Sequence, residues 1–225
     1  MLTEKVLKWE GKEHAYSSKK LEAPMLILTS NGLSSDALLA ETRKFTAGKE
    51  KAVIITTASV GYKEKDWHMP RLTAELKNLG LSVDTFDFDH QNARDLLDYD
   101  VIEILGGNPF YLLSHLQIKE NKVILQQIAE TKVLIGISAG TLVLQQNIHL
   151  VAQFSPEMNE DVGLTDLTGL ALTDLEILPH YHRFMDRFDG LEERAKAYEQ
   201  ANNCTVTRLD DGEAIFIVDD QIYRI

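Results

Sequence analysis

Lys132-Val133-Leu134-Ile135-Gly136-Ile137-Ser138-Ala139-Gly140-Thr141-Leu142-Val143-Leu144 reads as a buried strand, a tight turn and an apolar helix in immediate succession. A β-branched apolar run followed by Gly-x-Ser-x-Gly and a second apolar run places a serine at the carboxyl end of a central strand. Small residues at Gly136 and Gly140 let the chain double back, and the hydroxyl projects outward from the sheet. The amide of Ala139, at the helix amino terminus, has no intrahelical partner and points where a tetrahedral oxyanion would form. The plain alternative is a βα turn whose serine only caps its helix.

Working outward, further short apolar runs alternate with amphipathic stretches: Met25 to Thr29, Lys51 to Thr57, Leu81 to Asp87, Asp100 to Leu105 and Lys132 to Ile137. Helices are expected from Trp67 to Gly80, through Leu72, Leu76 and Leu79, and over Lys119 to Thr131. This alternation is that of successive βα units, hence an α/β fold with a mainly parallel sheet covered on both faces. Regularity lapses from Gln145 to Gly169. Strand-like runs return at Leu170 to Thr173 and Leu175 to Leu178, a helix is expected around Gly190 to Asn202, and strands with a closing hairpin end the chain. Residues 1–24 show neither a strong moment nor clean alternation and read as an extension, leaving 25–225 as one domain.

Composition narrows the function classes. Acidic residues outnumber basic ones 35 to 23, for a net charge of −12, so the average field repels nucleic acid and anionic membranes. The one cysteine, Cys204, excludes an intramolecular disulfide framework and a cysteine-based zinc cluster, and fits a reducing compartment. The first residues carry no signal-peptide core, and no run approaches the ~20 apolar residues of a membrane helix. The expectation is a cytoplasmic protein.

A second glycine turn, Gly106-Gly107-Asn108-Pro109, ends the strand before the serine strand. In an open parallel sheet ligand sites gather at the carboxyl ends of strands, so the Gly107 amide is placed to complete an oxyanion hole with that of Ala139. A serine needs a proton acceptor. Of seven histidines, His180 stands best, directly after Leu175-Glu176-Ile177-Leu178-Pro179. His182 shares its face if the chain stays extended, and His-x-His also admits a metal, although no Glu or Cys at metal spacing accompanies it. His68, His90, His115 and His149 read as structural. A carboxylate to orient the ring is offered by Asp210, Asp211 or Glu213, with Glu157 a further candidate, and nothing local separates them.

Taken in order, Leu105 to Leu113, Gly136 to Gly140, Leu178-Pro179-His180-Tyr181 and Leu209-Asp210-Asp211-Gly212 resemble the dipeptidase E (alpha-aspartyl dipeptidase) family of serine peptidases, to which cyanophycinases are more distantly related. The resemblance spans about Met25 to Val218. It implies a flavodoxin-like or class I glutamine amidotransferase-like three-layer sandwich, with Ser138 as nucleophile, His180 as base and Asp211 as acid, where the family commonly carries Glu. It also implies an arginine after the histidine that pairs with an acidic substrate; here that region is shorter and more acidic, with Arg183 and Arg187 as its candidates. The expected reaction is hydrolysis of small peptides through an acyl-enzyme, with no cofactor. The alternatives are an esterase using the same serine and a non-catalytic small-ligand binder, and a homodimer is left open.

Overall fold

The computed structural model describes residues 25–219 and 221–225; the expected extension over 1–24 lies outside them. In chain order the elements are β1 (Met25–Thr29), α1 (Asp36–Thr46), β2 (Lys51–Ile55), α2 (Met69–Asn78), β3 (Ser82–Phe86), β4 (Val101–Ile104), α3 (Pro109–Leu116), α4 (Lys119–Thr131), β5 (Val133–Ile137), α5 (Ala139–Val143), α6 (His149–Phe154), β6 (Glu176–Pro179), α7 (Tyr181–Met185), α8 (Leu191–Asn202), β7 (Val206–Leu209), β8 (Ala214–Val218) and β9 (Gln221–Arg224).

Seven strands form one sheet in the order β3-β2-β4-β5-β1-β8-β9. The first five strands pair in parallel, and β8 and β9 add an antiparallel margin. Side chains alternate across the sheet, so each strand feeds two cores. Leu26, Leu28, Ile102, Ile104 and Leu134 pack with Phe110, Leu113, Leu125 and Ile128 of α3 and α4 on one face. Met25, Ile27, Ile54, Ile135 and Phe216 pack with Leu38 of α1 and Leu72 and Leu76 of α2 on the other. The result is the expected three-layer α/β sandwich. Among the described residues no helix is long and apolar enough to cross a membrane.

The departures from expectation lie after β5. Leu170 to Thr173 is no strand: the amides of Leu170, Ala171 and Leu172 donate to the carbonyls of Val143, Gln145 and Leu144 at 2.8–3.0 Å. An apolar run thereby satisfies carbonyls that a five-residue helix leaves open at its end. The stretch from Gln145 to Gly169 holds α6 and a turn of 3-10 helix at Pro156–Asn159. The strand expected at Leu175 to Leu178 is β6, but it joins β7 in a separate two-stranded parallel sheet. Leu150, Phe154, Leu178, Leu191, Ala195, Tyr198 and Val206 bury that small sheet against α6 and α8.

Candidate active site

Three strands that are neighbours in the sheet, β4, β5 and β1, end side by side. Ser138 follows β5 and leads directly into α5, with φ 49° and ψ −108°, a conformation an L-residue adopts only at a cost of about 1–3 kcal/mol. The turn is locked on both sides. The Ser138 amide donates to the Thr29 carbonyl of β1 at 3.1 Å, and Thr141 Oγ1 donates to the same carbonyl at 2.8 Å. On the β4 side α5 crosses so closely that a Cβ on Gly140 would stand 2.2 Å from the Ile104 carbonyl oxygen. Only glycine fits there, which accounts for the last letter of the motif.

Gly107 has φ 139°, and a Cβ on it would meet the Ala58 carbonyl oxygen at 2.2 Å. The following residue fixes this turn in three ways. The Asn108 amide donates to Ala58 at 2.8 Å; its Oδ1 caps α3 by accepting from Phe110 and Tyr111; its Nδ2 donates to the Met158 carbonyl at 2.7 Å. Neither the Gly107 nor the Ala139 amide donates to any group among the described residues, so both stand available to an incoming oxygen.

His180 lies immediately beyond β6 in the left-handed region, φ 57° and ψ 33°, and is almost wholly buried. The chain does not stay extended: α7 begins at Tyr181, so His182 leaves the face of His180 and pairs with Asp210 at the surface, 2.5 Å between Nδ1 and Oδ2. His180 Nδ1 instead meets Asp211 Oδ1 at 2.5 Å. Of the remaining acids, Glu213 accepts from the Asp210 amide and from Arg224, and Glu157 is exposed on the 3-10 turn. Geometry thus selects Asp211 as the partner of the imidazole.

Ser30, the residue after β1, is a member of this group that the sequence did not reveal. Its Oγ accepts from the His180 backbone N–H at 2.8 Å, donates to Asp211 Oδ1 at 2.6 Å and lies 3.0 Å from His180 Nδ1. Because the single hydroxyl hydrogen is committed to Asp211, Nδ1 faces two acceptor oxygens and must carry the ring proton. The other ring nitrogen, Nε2, is then the basic one. Burial pulls the His180 pKa below its ordinary value, against the opposing pull of the Asp211 charge and hydrogen bond. Burial acts to raise the Asp211 carboxyl, but the Ser30 hydrogen bond and the His180 charge outweigh it and hold it below the usual carboxylate range.

Ser30, Gly107, Ser138, Ala139, His180 and Asp211 all line one cavity of about 510 Å³. No hydrogen bond joins Ser138 Oγ to His180 among the described residues. His68, read as structural, also lines the cavity, its Nδ1 held by Asp66 at 2.9 Å. Arg183 and Arg187 line it too; Arg183 stands 3.7 Å from Asp211 Oδ2, and Arg187 lies over the Phe188 ring at 5.1 Å. Among the described residues no three His, Cys, Asp or Glu side chains gather as a metal site.

Known proteins share this arrangement of chain and sheet. The uncharacterized peptidase Lmo0363 of Listeria monocytogenes is 30% identical over 197 residues, covering 85% of this chain and 93% of that protein. The uncharacterized peptidase Lin0382 of Listeria innocua is 30% identical over 204 residues, covering 88% and 94%. Among solved structures, a candidate peptidase E protein from Listeria monocytogenes EGD-e superposes with a TM-score of 0.72 at 24% identity, covering 90% of this chain and 98% of that one. A peptidase from an acI-B1 Actinobacterium gives 0.68 at 17% identity, covering 92% and 89%. The model of peptidase family S51 matches residues 26–225, nearly everything described above. With the strand order, the serine turn and the match over residues 26–225 in agreement, the chain belongs to peptidase family S51, the dipeptidase E family, and is a peptidase.

Proposed function

We propose that this peptidase hydrolyses small peptides by a Ser-His-Asp mechanism, with Ser138 as nucleophile, His180 as general base and Asp211 as the group that orients the imidazole. The observation that carries the reading is the His180 Nδ1 to Asp211 Oδ1 contact at 2.5 Å, on the cavity that Ser138 enters from a strained turn. Ser138 Oγ attacks the peptide carbonyl as its proton passes to His180 Nε2. The oxyanion is held by the Gly107 and Ala139 amides, and Asp211 stabilises the imidazolium. Collapse of the tetrahedral species breaks the C–N bond, His180 returns the proton to the leaving amine, and an ester on Ser138 remains. Water, deprotonated by His180, then attacks that ester, releasing the acid and restoring the serine. No cofactor enters this scheme. A cavity of about 510 Å³ supports substrates of a few residues. The proposed setting is the cytoplasm, on the single cysteine, which fits a reducing compartment.

The test is covalent labelling by a fluorophosphonate, read by intact mass, alongside turnover of dipeptides and p-nitrophenyl esters. Wild type is expected to gain one adduct and cleave peptides; Ser138→Ala and His180→Ala are expected to lose both. A wild-type protein that cleaves only esters, or that never labels, overturns the proposal.

A further inference from the structure

The cavity that Ser138 enters is lined by both apolar and charged side chains. Leu142 stands one turn beyond Ser138 on α5, its amide donating to the Ser138 carbonyl at 3.0 Å. Leu150, Val151 and Phe154 of α6 and Met158 of the 3-10 turn continue from it as one apolar wall. Phe184 extends the wall, and Phe188 backs it, with ring centroids 5.2 Å from Phe184 and 5.8 Å from Phe154.

Both ends of this wall are tied to the catalytic groups. Asn108, next to Gly107, holds the Met158 carbonyl at 2.7 Å, and the Phe184 ring lies 5.4 Å from the ring of His180. A peptide whose carbonyl reaches Ser138 and the Gly107 amide has these apolar side chains in the same cavity. The arginines on this cavity are Arg71, Arg183 and Arg187, and the last two rest over the Phe184 ring itself, 5.7 and 5.9 Å from its centroid. They make an acidic side chain the rival occupant.

Resting on the peptidase mechanism above, we infer that the wall formed by Leu142, Leu150, Val151, Phe154, Met158 and Phe184 binds a large apolar side chain, Leu-, Met- or Phe-like, of the residue beside the scissile bond. Transfer of such a side chain from water into a preformed apolar lobe is favourable, whereas a carboxylate there loses its hydration unless it reaches an arginine. Each methylene or ring fitted into such a pocket is worth roughly 10- to 200-fold in kcat/KM.

The experiment compares kcat/KM for dipeptides and tripeptides carrying Phe, Leu, Gly or Asp at the first or second position. The best apolar substrate is expected to exceed the best acidic one by about tenfold or more. Two variants act on the wall in opposite senses: Phe154→Ala opens it and Val151→Trp fills it. Each is expected to lower the apolar-to-acidic ratio by about tenfold, with a native melting transition confirming the fold. Equal or greater turnover of the Asp peptides, or a ratio that neither folded variant moves, overturns the inference and leaves the peptidase mechanism standing. Cleavage of no peptide at all overturns both.

Discussion

Replacing Ser30 by alanine tests whether one hydroxyl organises the catalytic group. In wild type that oxygen accepts from the buried His180 N–H, donates to Asp211 and faces the ring proton on Nδ1. Its loss strands the N–H without an acceptor, at about 1–3 kcal/mol. The Asp211 bond adds less than its charged character suggests, because that side chain is 36% exposed and water screens it. A net loss of about 2 kcal/mol follows, or roughly 4–8 °C in Tm for a chain of 225 residues. Freed on one side, the imidazole swings away from the Ser138 direction, and misplacement of that kind costs on the order of 10- to 100-fold in rate. The loss should fall in kcat with KM little changed, since the ring and not the substrate is displaced. Scanning fluorimetry and steady-state kinetics on a cleaved dipeptide read the two quantities separately. A variant that melts early yet keeps kcat within about twofold would show Ser30 to be purely structural; unchanged Tm and kcat together would refute the reasoning altogether.

Two further perturbations follow from the titrating groups. His180 must be neutral at Nε2 to accept a proton, so kcat/KM should rise with pH through its pKa. With burial lowering that pKa, the acid limb is expected below pH 6.5, and Asp211→Asn, which removes the opposing pull, should shift the limb lower still while costing on the order of 10⁴ in kcat. A pH–rate series settles it: a limb that moves up in the variant contradicts the assignment. Glu103, on β4, is wholly buried with neither carboxyl oxygen hydrogen-bonded among the described residues, and burial pushes its pKa to about 8. The folded state then keeps a proton that the unfolded chain releases above its ordinary 4.5, so stability falls as pH rises through that window, by about 3 kcal/mol between pH 4.5 and 7. Glu103→Gln removes that slope; urea melts at pH 5 and 7 that run parallel for the two proteins would sink the idea.

The parallel sheet was legible because its strands are short, bounded runs buried on both faces, and burial of that kind is written in composition. Leu170 to Thr173 reads as a strand for the same reason, since an apolar run whose amides close a helix end looks no different in sequence from one that joins a sheet. Ser138 could be read from its strand–turn–helix context, and His180 from the proline-ended run before it. Among the acids, pattern gave no choice, since Asp210, Asp211 and Glu213 share one turn, and only the backbone decides that the first meets His182, the second His180 and the third Arg224. Ser30 was out of reach altogether. It lies 181 residues from the acid it bonds, and its one trace is a polar Thr29-Ser30-Asn31 run at the carboxyl end of β1.

That run also positions the carboxylate proposed to orient the imidazole. Asp211 meets the imidazole from a turn that the loop after β1 holds in place. Asn31 Oδ1 accepts the Gly212 N–H at 3.0 Å, drawing in the turn that carries Asp211, while Arg71, held by Glu75, donates to the Asn31 carbonyl at 2.7 Å and keeps the loop in place. Ser30, one residue earlier, donates to the Asp211 oxygen that meets His180 and lies 3.0 Å from the ring nitrogen itself. The loop after the first strand thus contacts the acid, the imidazole and the turn that carries the acid, so Asp211 and residues 30 and 31 form one geometric unit.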